Sequence, residues 1–261
     1  LSSSPDRSLA IAILPDPDAP DELLLGDSAS APPSSQFAHF LTRVALGLLL
    51  GRRTVHGAVD ARWSVTERAP ASPVVTEAWR RLGLPVSLFA ETGASASPSH
   101  PTYAVCLDSP WHPASWQRLR HALTGNTAFG NLCGRPQRDK AILLVSRADD
   151  DDVLPADTLD AVRRLWANVT VLAVDDPSLT LEVAASSMCD ATLIITTTVT
   201  SAYYSVLAPE DAAVIDVHPR GDGNRLAAHH ARLAHVLGHE YWPIAAAQAA
   251  TAIPAALPAV R

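Results

Sequence analysis

Three hydroxyl side chains, at Thr198, Thr200 and Ser201, stand between an apolar segment and a short helix pattern. The apolar segment, 190–196, is rich in β-branched residues, which predicts a strand buried on both faces. Thr200 and Ser201 provide N-cap hydroxyls for a predicted helix over 202–207. The N-terminus of a helix favours phosphate, because it presents free N–H groups and the positive end of a dipole. An ordinary helix cap accounts for the same residues equally well.

Two charged residues are predicted to lie at the same edge of a sheet as these hydroxyl groups. Arg147 follows a predicted strand over 140–146, and Asp216 lies near the end of another over 212–217. Ligands of open α/β sheets bind in the crevice beyond the carboxyl ends of the strands. Arg147 could bind a diphosphate through its guanidinium group, or pair with the aspartates at 149–152. Asp216 could accept hydrogen bonds from ribose hydroxyls, or cap a loop.

The aspartates at 149–152 and a group of histidines raise the question of a metal site. The aspartates precede a predicted helix over 156–166, where negative charge is favoured, so we predict a solvated turn and no Mg²⁺ or Mn²⁺. Two of the histidines are four residues apart, but the glycine at 238 predicts that their helix has ended. We therefore predict no metal, and we expect four histidines on the surface: His229, His230, His235 and His239.

One further histidine, His39, heads a predicted helix over 37–50. Its imidazole could act as a general base, or contact an acceptor on the far side of a cleft. An ordinary hydrogen bond at a helix start is the alternative interpretation.

Composition limits the class of protein. The chain has 261 residues, 48% hydrophobic and 18% charged, which is typical of a globular protein of two small domains or one large one. A net charge of -7 argues against nucleic acid as a partner. The longest apolar run, 44–50, is too short to span a membrane, although the first residue, Leu1, allows a signal or anchor segment to precede the chain. The three cysteines form no C-x-x-C pair, which argues against zinc and thioredoxin-like chemistry.

Strand and helix patterns alternate along the chain, most regularly in its C-terminal half. This alternation predicts βαβ units and a parallel sheet there. A connector over 125–138, rich in Gly, Asn and Pro, predicts a boundary between domains at 1–135 and 136–261. Strands are predicted over 9–14, 54–59, 84–89, 103–107, 140–146, 169–174, 190–196 and 212–217. Helices are predicted over 37–50, 73–82, 113–123, 156–166, 179–188 (with Asp176 as N-cap), 202–207, 224–237 and 244–251.

Several of these segments, in this order and spacing, resemble glycosyltransferase family 61. Residues 144–147 (Leu-Val-Ser-Arg) are similar to a strand of the family that ends in Ser-Arg, and residues 37–41 (Phe-Ala-His-Phe-Leu) to its helix start. Residues 237–243 resemble its closing Leu-Gly-x-x-Tyr segment, and 212–216 its second donor-site strand. At 198–201 this chain has Thr-Val-Thr-Ser where the family has His-Gly-Ala-Gly.

The resemblance implies an α/β protein of two Rossmann-like halves (GT-B-like), with a parallel sheet in the C-terminal half. It implies inverting transfer of a sugar from a UDP-sugar to a protein or glycan hydroxyl, without a metal, in the lumen of the Golgi or endoplasmic reticulum. His39 would be the catalytic residue on the acceptor side. The donor would be bound by five residues: Arg147, Thr198, Thr200, Ser201 and Asp216. The alternative is a catalytically inactive relative that serves as a binding or scaffold module.

Overall fold

The computed structural model describes residues 8–10, 31–46, 62–64, 72–83, 111–124, 140–146, 156–198, 200–218 and 223–260. No helix within these ranges is both long and apolar enough to span a membrane. The strands of this part of the chain are β1 (Ser8–Ala10), β2 (Arg62–Ser64), β3 (Lys140–Val145), β4 (Asn168–Ala173), β5 (Leu193–Thr196), β6 (Ala213–His218) and β7 (Glu240–Ala245). Its α-helices are α1 (Pro33–His39), α2 (Pro73–Arg81), α3 (Pro113–Thr124), α4 (Ala156–Leu165), α5 (Leu181–Met188), α6 (Gly223–Leu237) and α7 (Ala249–Val260).

The last five strands form one parallel sheet in the order β4-β3-β5-β6-β7. The register places Thr196 of β5 opposite Asp216 of β6, so the carboxyl ends of these strands lie side by side. The inner strands β3, β5 and β6 are almost continuously apolar, as expected of a parallel sheet with both faces covered. The parallel sheet predicted for the C-terminal half is therefore confirmed.

Helices cover both faces of this sheet. Ile142 and Leu144 of β3 belong to one core, which includes side chains of α1, α2, α3 and α5. Ala141 and Leu143 belong to a second core on the opposite face, with side chains of α4 and α7. Successive residues alternate between the two cores because a strand has a period of two.

The described N-terminal residues add helices to the first core. Phe37 of α1, Trp79 of α2 and Trp116 of α3 are buried in it, together with Ile142 and Ile194 of the sheet. β1 and β2 pair with each other in parallel as a separate two-stranded sheet. The part of the chain that the structure describes thus shows one five-stranded sheet, and does not show two Rossmann-like halves or a GT-B arrangement.

Several predictions fall on residues outside the described ranges. They include the strands at 54–59, 84–89 and 103–107, the aspartates at 149–152 and the connector at 125–138. The division into domains at 1–135 and 136–261 therefore stays a prediction.

The helix predicted over 244–251 starts two residues too early: Ala246–Gln248 forms a 3₁₀ helix that leads into α7, but Ile244 and Ala245 belong to a strand. Glu240–Ala245 forms β7, which pairs with β6 at the edge of the sheet, and α7 starts only at Ala249. Pro243 fits in β7 because an edge strand has one unpaired side and can lack an N–H donor. A short apolar run is compatible with either a helix or a strand, so its pattern did not separate the two.

The start of α5 also differs from its prediction. The side chain of Thr180 caps this helix, because its Oγ1 accepts a hydrogen bond from the N–H of Val183 at 3.2 Å. Asp176, which was predicted as the cap, instead accepts from the N–H of Ser178 at 2.9 Å in the preceding turn.

Two other helices have an unexpected form. The short helix predicted over 202–207 is a 3₁₀ helix, Ser201–Leu207. α1 begins at Pro33, earlier than predicted, and continues as a π-helix over Phe40–Ala45. His39 therefore lies at the end of α1 rather than at its start.

Candidate functional site

The strand order places a topological switch point between β3 and β5, and we call the region beyond the carboxyl ends of these strands the crevice. From β3 the chain moves outward to β4, then returns to β5 on the other side of β3 and continues to β6 and β7. Connections thus leave in opposite directions at β3 and β5, and ligands of such sheets bind at this switch point, beyond the carboxyl ends of the strands. Ser146 follows β3, and Thr197 and Thr198 follow β5. Arg147 is the next residue after Ser146 and lies outside the described ranges.

The hydroxyl residues after β5 form a turn that is closed on itself. The N–H of Ser201 donates to Thr198 Oγ1, and the N–H of Thr198 donates to Ser201 Oγ, both at 3.2 Å. Ser201 Oγ also donates to the carbonyl of Thr198 at 2.8 Å, and its side chain is fully buried. This reciprocal arrangement is analogous to a capping box, and it engages groups that were predicted to contact phosphate.

A second set of polar contacts joins this turn to α1. Thr200 Oγ1 lies 2.7 Å from Ser34 Oγ, and the N–H of Ser34 donates to Asp175 Oδ1 at 3.0 Å. Ser146 Oγ donates to the other oxygen of Asp175. Ser34, Ser146, Asp175 and Thr200 therefore connect the ends of β3 and β4, the turn after β5, and the start of α1.

Of these residues, only Thr200 was predicted to contact a ligand. Asp175 directly follows a predicted strand, as Arg147 does. This position in the sequence could have identified Asp175 as a residue of the same sheet edge. Its carboxylate disfavours a diphosphate at the crevice unless a cation lies nearby, because like charges repel at short range. A diphosphate at this edge would therefore need a cation beside it.

A buried polar cluster surrounds Asp216, one strand away from the crevice. Asp216 is 1% exposed, and its Oδ1 accepts from Thr196 Oγ1 at 2.5 Å. Its Oδ2 accepts from the Tyr241 hydroxyl at 2.8 Å and lies 2.5 Å from His230 Nδ1. His218 Nε2 lies 3.2 Å from the same Oδ2 and 3.0 Å from the Tyr241 hydroxyl. We call Thr196, Asp216, His218, His230 and Tyr241 the Asp216 cluster.

Electrostatics keeps Asp216 ionised in this cluster. Burial alone would raise the pKa of Asp216, but the charges and hydrogen bonds of His230, His218 and Thr196 outweigh it and lower the pKa. Burial lowers the pKa of His218, although Asp216 acts in the opposite direction. Burial, and then the charge of Asp216, raise the pKa of the Tyr241 hydroxyl. At neutral pH the cluster therefore combines a carboxylate, a neutral imidazole at His218 and a neutral phenol.

The surface placement predicted for the histidines is wrong for three of the four. His229, His230 and His239 are buried, whereas His235 is exposed. α6 is covered on several sides: it packs against α3, β6, β7 and the 3₁₀ helix. His229 contacts the Tyr203 hydroxyl, while its neighbour His230 faces Asp216. The helix does end before His239, as predicted, since Gly238 has φ +75.

The contact between Asp216 and a ribose stays a prediction. Both carboxylate oxygens already have protein partners, so a ribose would have to displace at least one of them. The pair of Asp216 and His230 has the arrangement of a general base and its orienting carboxylate. However, His230 Nε2 is buried, and a base must reach the proton that it removes.

His39, the predicted catalytic residue, is 7% exposed at the junction of α1 and the π-helix. π-helical turns are rare in proteins, but those that occur are often found at functional sites. This position neither assigns nor removes a catalytic role for His39.

Comparison with known proteins does not identify the chain. No protein-family model matches it, and no curated protein is significantly similar to it. The resemblance to glycosyltransferase family 61 rests on short motifs, and the chemistry of the site has to be argued from its own geometry.

Proposed function

We propose that this protein transfers a sugar from a UDP-sugar to a hydroxyl of a protein or glycan, with inversion at the sugar carbon. The observation that supports this proposal is the position of the polar residues at the switch point between β3 and β5. Nucleotides bind at this position in many parallel α/β sheets. The reaction type is taken from the resemblance to glycosyltransferase family 61, because a fold does not by itself determine a function.

The donor would bind with its diphosphate between Arg147 and the turn at 198–201. The guanidinium group of Arg147 would offset the charge of Asp175 and stabilise the departing UDP. The hydroxyls of Thr198, Thr200 and Ser201 would border the phosphate, and Asp216 would serve the nucleoside. These contacts require the closed turn to exchange some of its internal hydrogen bonds.

The transfer itself requires a base on the acceptor side. The acceptor oxygen would form a bond to the sugar carbon on the face opposite UDP, while the bond from that carbon to UDP breaks. The acceptor proton would pass to His39, and the negative charge would leave with UDP. No metal takes part in this scheme, and the lumen of the Golgi or endoplasmic reticulum is the proposed location.

A catalytically inactive binding module is the second candidate function. The observation in its favour is that Thr198 and Ser201 bond to each other, with Thr200 held by Ser34. A site that uses its phosphate-binding groups internally, next to the carboxylate of Asp175, binds a diphosphate weakly. The two candidates share a fold and differ in turnover.

Calorimetric titration of the full chain with UDP, UDP-GlcNAc and UDP-xylose tests the donor site. We expect weak binding that Arg147→Ala reduces by about tenfold or more, because a hydrogen bond to a charged group contributes about 1.5–3 kcal/mol. Arg163→Ala, which removes an exposed arginine at the end of α4, is the matched control and should bind like the wild type.

Two outcomes would separate the candidates or reject both. Absence of heat at millimolar concentrations of all three nucleotides would show that there is no donor site. Binding without UDP release, in the presence of hydroxyl acceptors, would favour the inactive module. Thr198→His combined with Val199→Gly, which restores half of the family motif, should tighten binding if the turn is the phosphate site.

A further inference from the structure

We propose that Asp216, His218 and His230 bind one transition-metal ion of the zinc class, in the core between β6 and α6. Each of these residues offers one ligand atom, and these atoms all lie within 4.8 Å of one another. All three side chains are buried, and they come from two elements that pack directly against each other. This inference does not depend on the proposed transferase activity, and a metal bound to Asp216 would exclude the nucleoside contact proposed for that residue.

The distances suit a small tetrahedral ion. Zinc lies about 2.0–2.1 Å from histidine nitrogens and carboxylate oxygens, so that neighbouring ligand atoms are separated by about 3.3 Å. Asp216 Oδ2 lies 3.2 Å from His218 Nε2 and 2.5 Å from His230 Nδ1. A shift of the His230 ring by roughly an ångström would admit the ion between the three atoms.

The charge of the cluster also favours a cation. Within the part of the chain that the structure describes, Asp216 has hydroxyl and imidazole partners, and no Lys or Arg is paired with it. A buried carboxylate without a permanently charged side chain beside it is costly, because it has lost its hydration. A divalent ion would offset this cost and would convert two imidazoles and one carboxylate into ligands.

Two hydroxyl groups hold the carboxylate in place for this role. Thr196 Oγ1 donates to Asp216 Oδ1, and the Tyr241 hydroxyl donates to Asp216 Oδ2. Such outer contacts typically orient the ligands of metal sites. The other ring nitrogens, His218 Nδ1 and His230 Nε2, have no hydrogen-bond partner among the described residues. Among the described residues, the hydrogen bonds of both imidazole rings therefore come from the cluster.

The ligand set and the burial together define the kind of site. Two imidazole nitrogens with one carboxylate suit Zn²⁺, Co²⁺, Ni²⁺ or Cu²⁺, whereas Mg²⁺ and Ca²⁺ prefer oxygen ligands alone. Because the three ligands are buried, no substrate reaches the ion. It would join the end of β6 to α6 as a structural centre, separate from the crevice at β3 and β5.

The test uses the full chain, stripped with a chelator and then loaded with Zn²⁺ alone. We expect one equivalent of Zn²⁺ per chain after dialysis, and a melting temperature raised by about 5 °C at a hundredfold excess over Kd. Loading with Co²⁺ should give the visible absorption of a tetrahedral nitrogen and oxygen site. His230→Gln should weaken Zn²⁺ binding by more than about 100-fold, because loss of an outer contact alone costs about 10–100-fold.

His229→Gln is the matched control, since it changes the neighbouring buried histidine of the same helix, which contacts Tyr203 instead. It should keep one equivalent of Zn²⁺. Equal affinities in the two variants, or less than a tenth of an equivalent in the wild type, would overturn the proposal. If His230→Gln does not fold, X-ray absorption of the Zn²⁺-loaded wild type decides instead. Two histidine ligands at about 2.0–2.1 Å support the site, and a shell without histidine overturns it.

Discussion

The polar groups at the carboxyl ends of β5 and β6 differ in charge and in the range of their hydrogen bonds, although the two strands are neighbours in one sheet. After β5, the turn at 198–201 bonds mainly within itself, between residues three positions apart. At the end of β6, Asp216 is bonded to side chains from β5, β7 and α6. The turn contains no formal charge, whereas the Asp216 cluster holds a buried carboxylate.

This difference teaches that a position at the carboxyl edge of a sheet does not by itself define a ligand site. Thr198 is partly exposed beside the crevice, so a ligand can compete for its hydrogen bonds. Asp216 is buried, so its contacts stabilise the fold or hold a small ion, and a large ligand would have to open the core. Two predictions follow from this contrast, and a third concerns a buried histidine elsewhere; they are given in order of decreasing effect.

The largest effect is expected when the buried carboxylate is removed. Asp216→Ala leaves Thr196, His230 and Tyr241 without their common partner and should lower the free energy of unfolding by about 3–5 kcal/mol. Thr198→Ala, the matched change at the partly exposed turn, should cost about 1 kcal/mol. Urea unfolding of metal-free protein measures both. Comparable losses in the two variants would remove the contrast between the two regions.

A second prediction concerns acid, and it involves a buried histidine outside both regions. Burial, and then the charge of Arg120, lower the pKa of His239 from 6.5 to about 4. Between these values the unfolded chain binds a proton that the folded chain does not, so stability is lost as the pH falls from about 6.5 towards 4. The loss attributable to His239 is about 3 kcal/mol.

His239→Phe should therefore flatten the dependence of the unfolding free energy on pH in this range. His235→Phe is the control, because His235 is an exposed histidine in the last turn of α6, four residues before His239. It should leave the slope unchanged. An equal slope in the wild type and in His239→Phe would show that the buried imidazole of His239 is not the acid-sensitive group.

The smallest effect is expected inside the turn itself. Ser201→Ala removes one hydroxyl that donates to the Thr198 carbonyl and accepts from the Thr198 N–H, and should cost about 1–2 kcal/mol. The variant should keep the Asp216 cluster intact, because the hydrogen bonds of Ser201 in the described structure go to Thr198 and not to the cluster. Calorimetry with UDP completes the test: tighter binding in Ser201→Ala would show that the closed turn limits access of phosphate to the Thr198 N–H.

Local pattern was sufficient to predict most of the C-terminal fold. The apolar runs of β3, β5 and β6 and the helices between them are encoded by residues close in sequence, so the parallel sheet could be predicted. The N-terminal cap of α5 could not, because Asp176 and Thr180 are both good caps. Only the helix geometry shows that Thr180 lies at the right distance from Val183.

The sequence by itself determined the order of strands and helices from β3 to α6, the end of α6 at Gly238 and the closed turn at Thr198 and Ser201, because each depends on neighbouring residues. Tertiary structure alone decided the partners of Asp216. Its contacts with His230, Thr196 and Tyr241 span 14, 20 and 25 residues. It also decided that 240–245 is a strand, since that segment gains its hydrogen bonds from the free edge of β6. Interactions at such separations leave no periodic signal in the chain, because they exist only once the sheet and α6 have packed together.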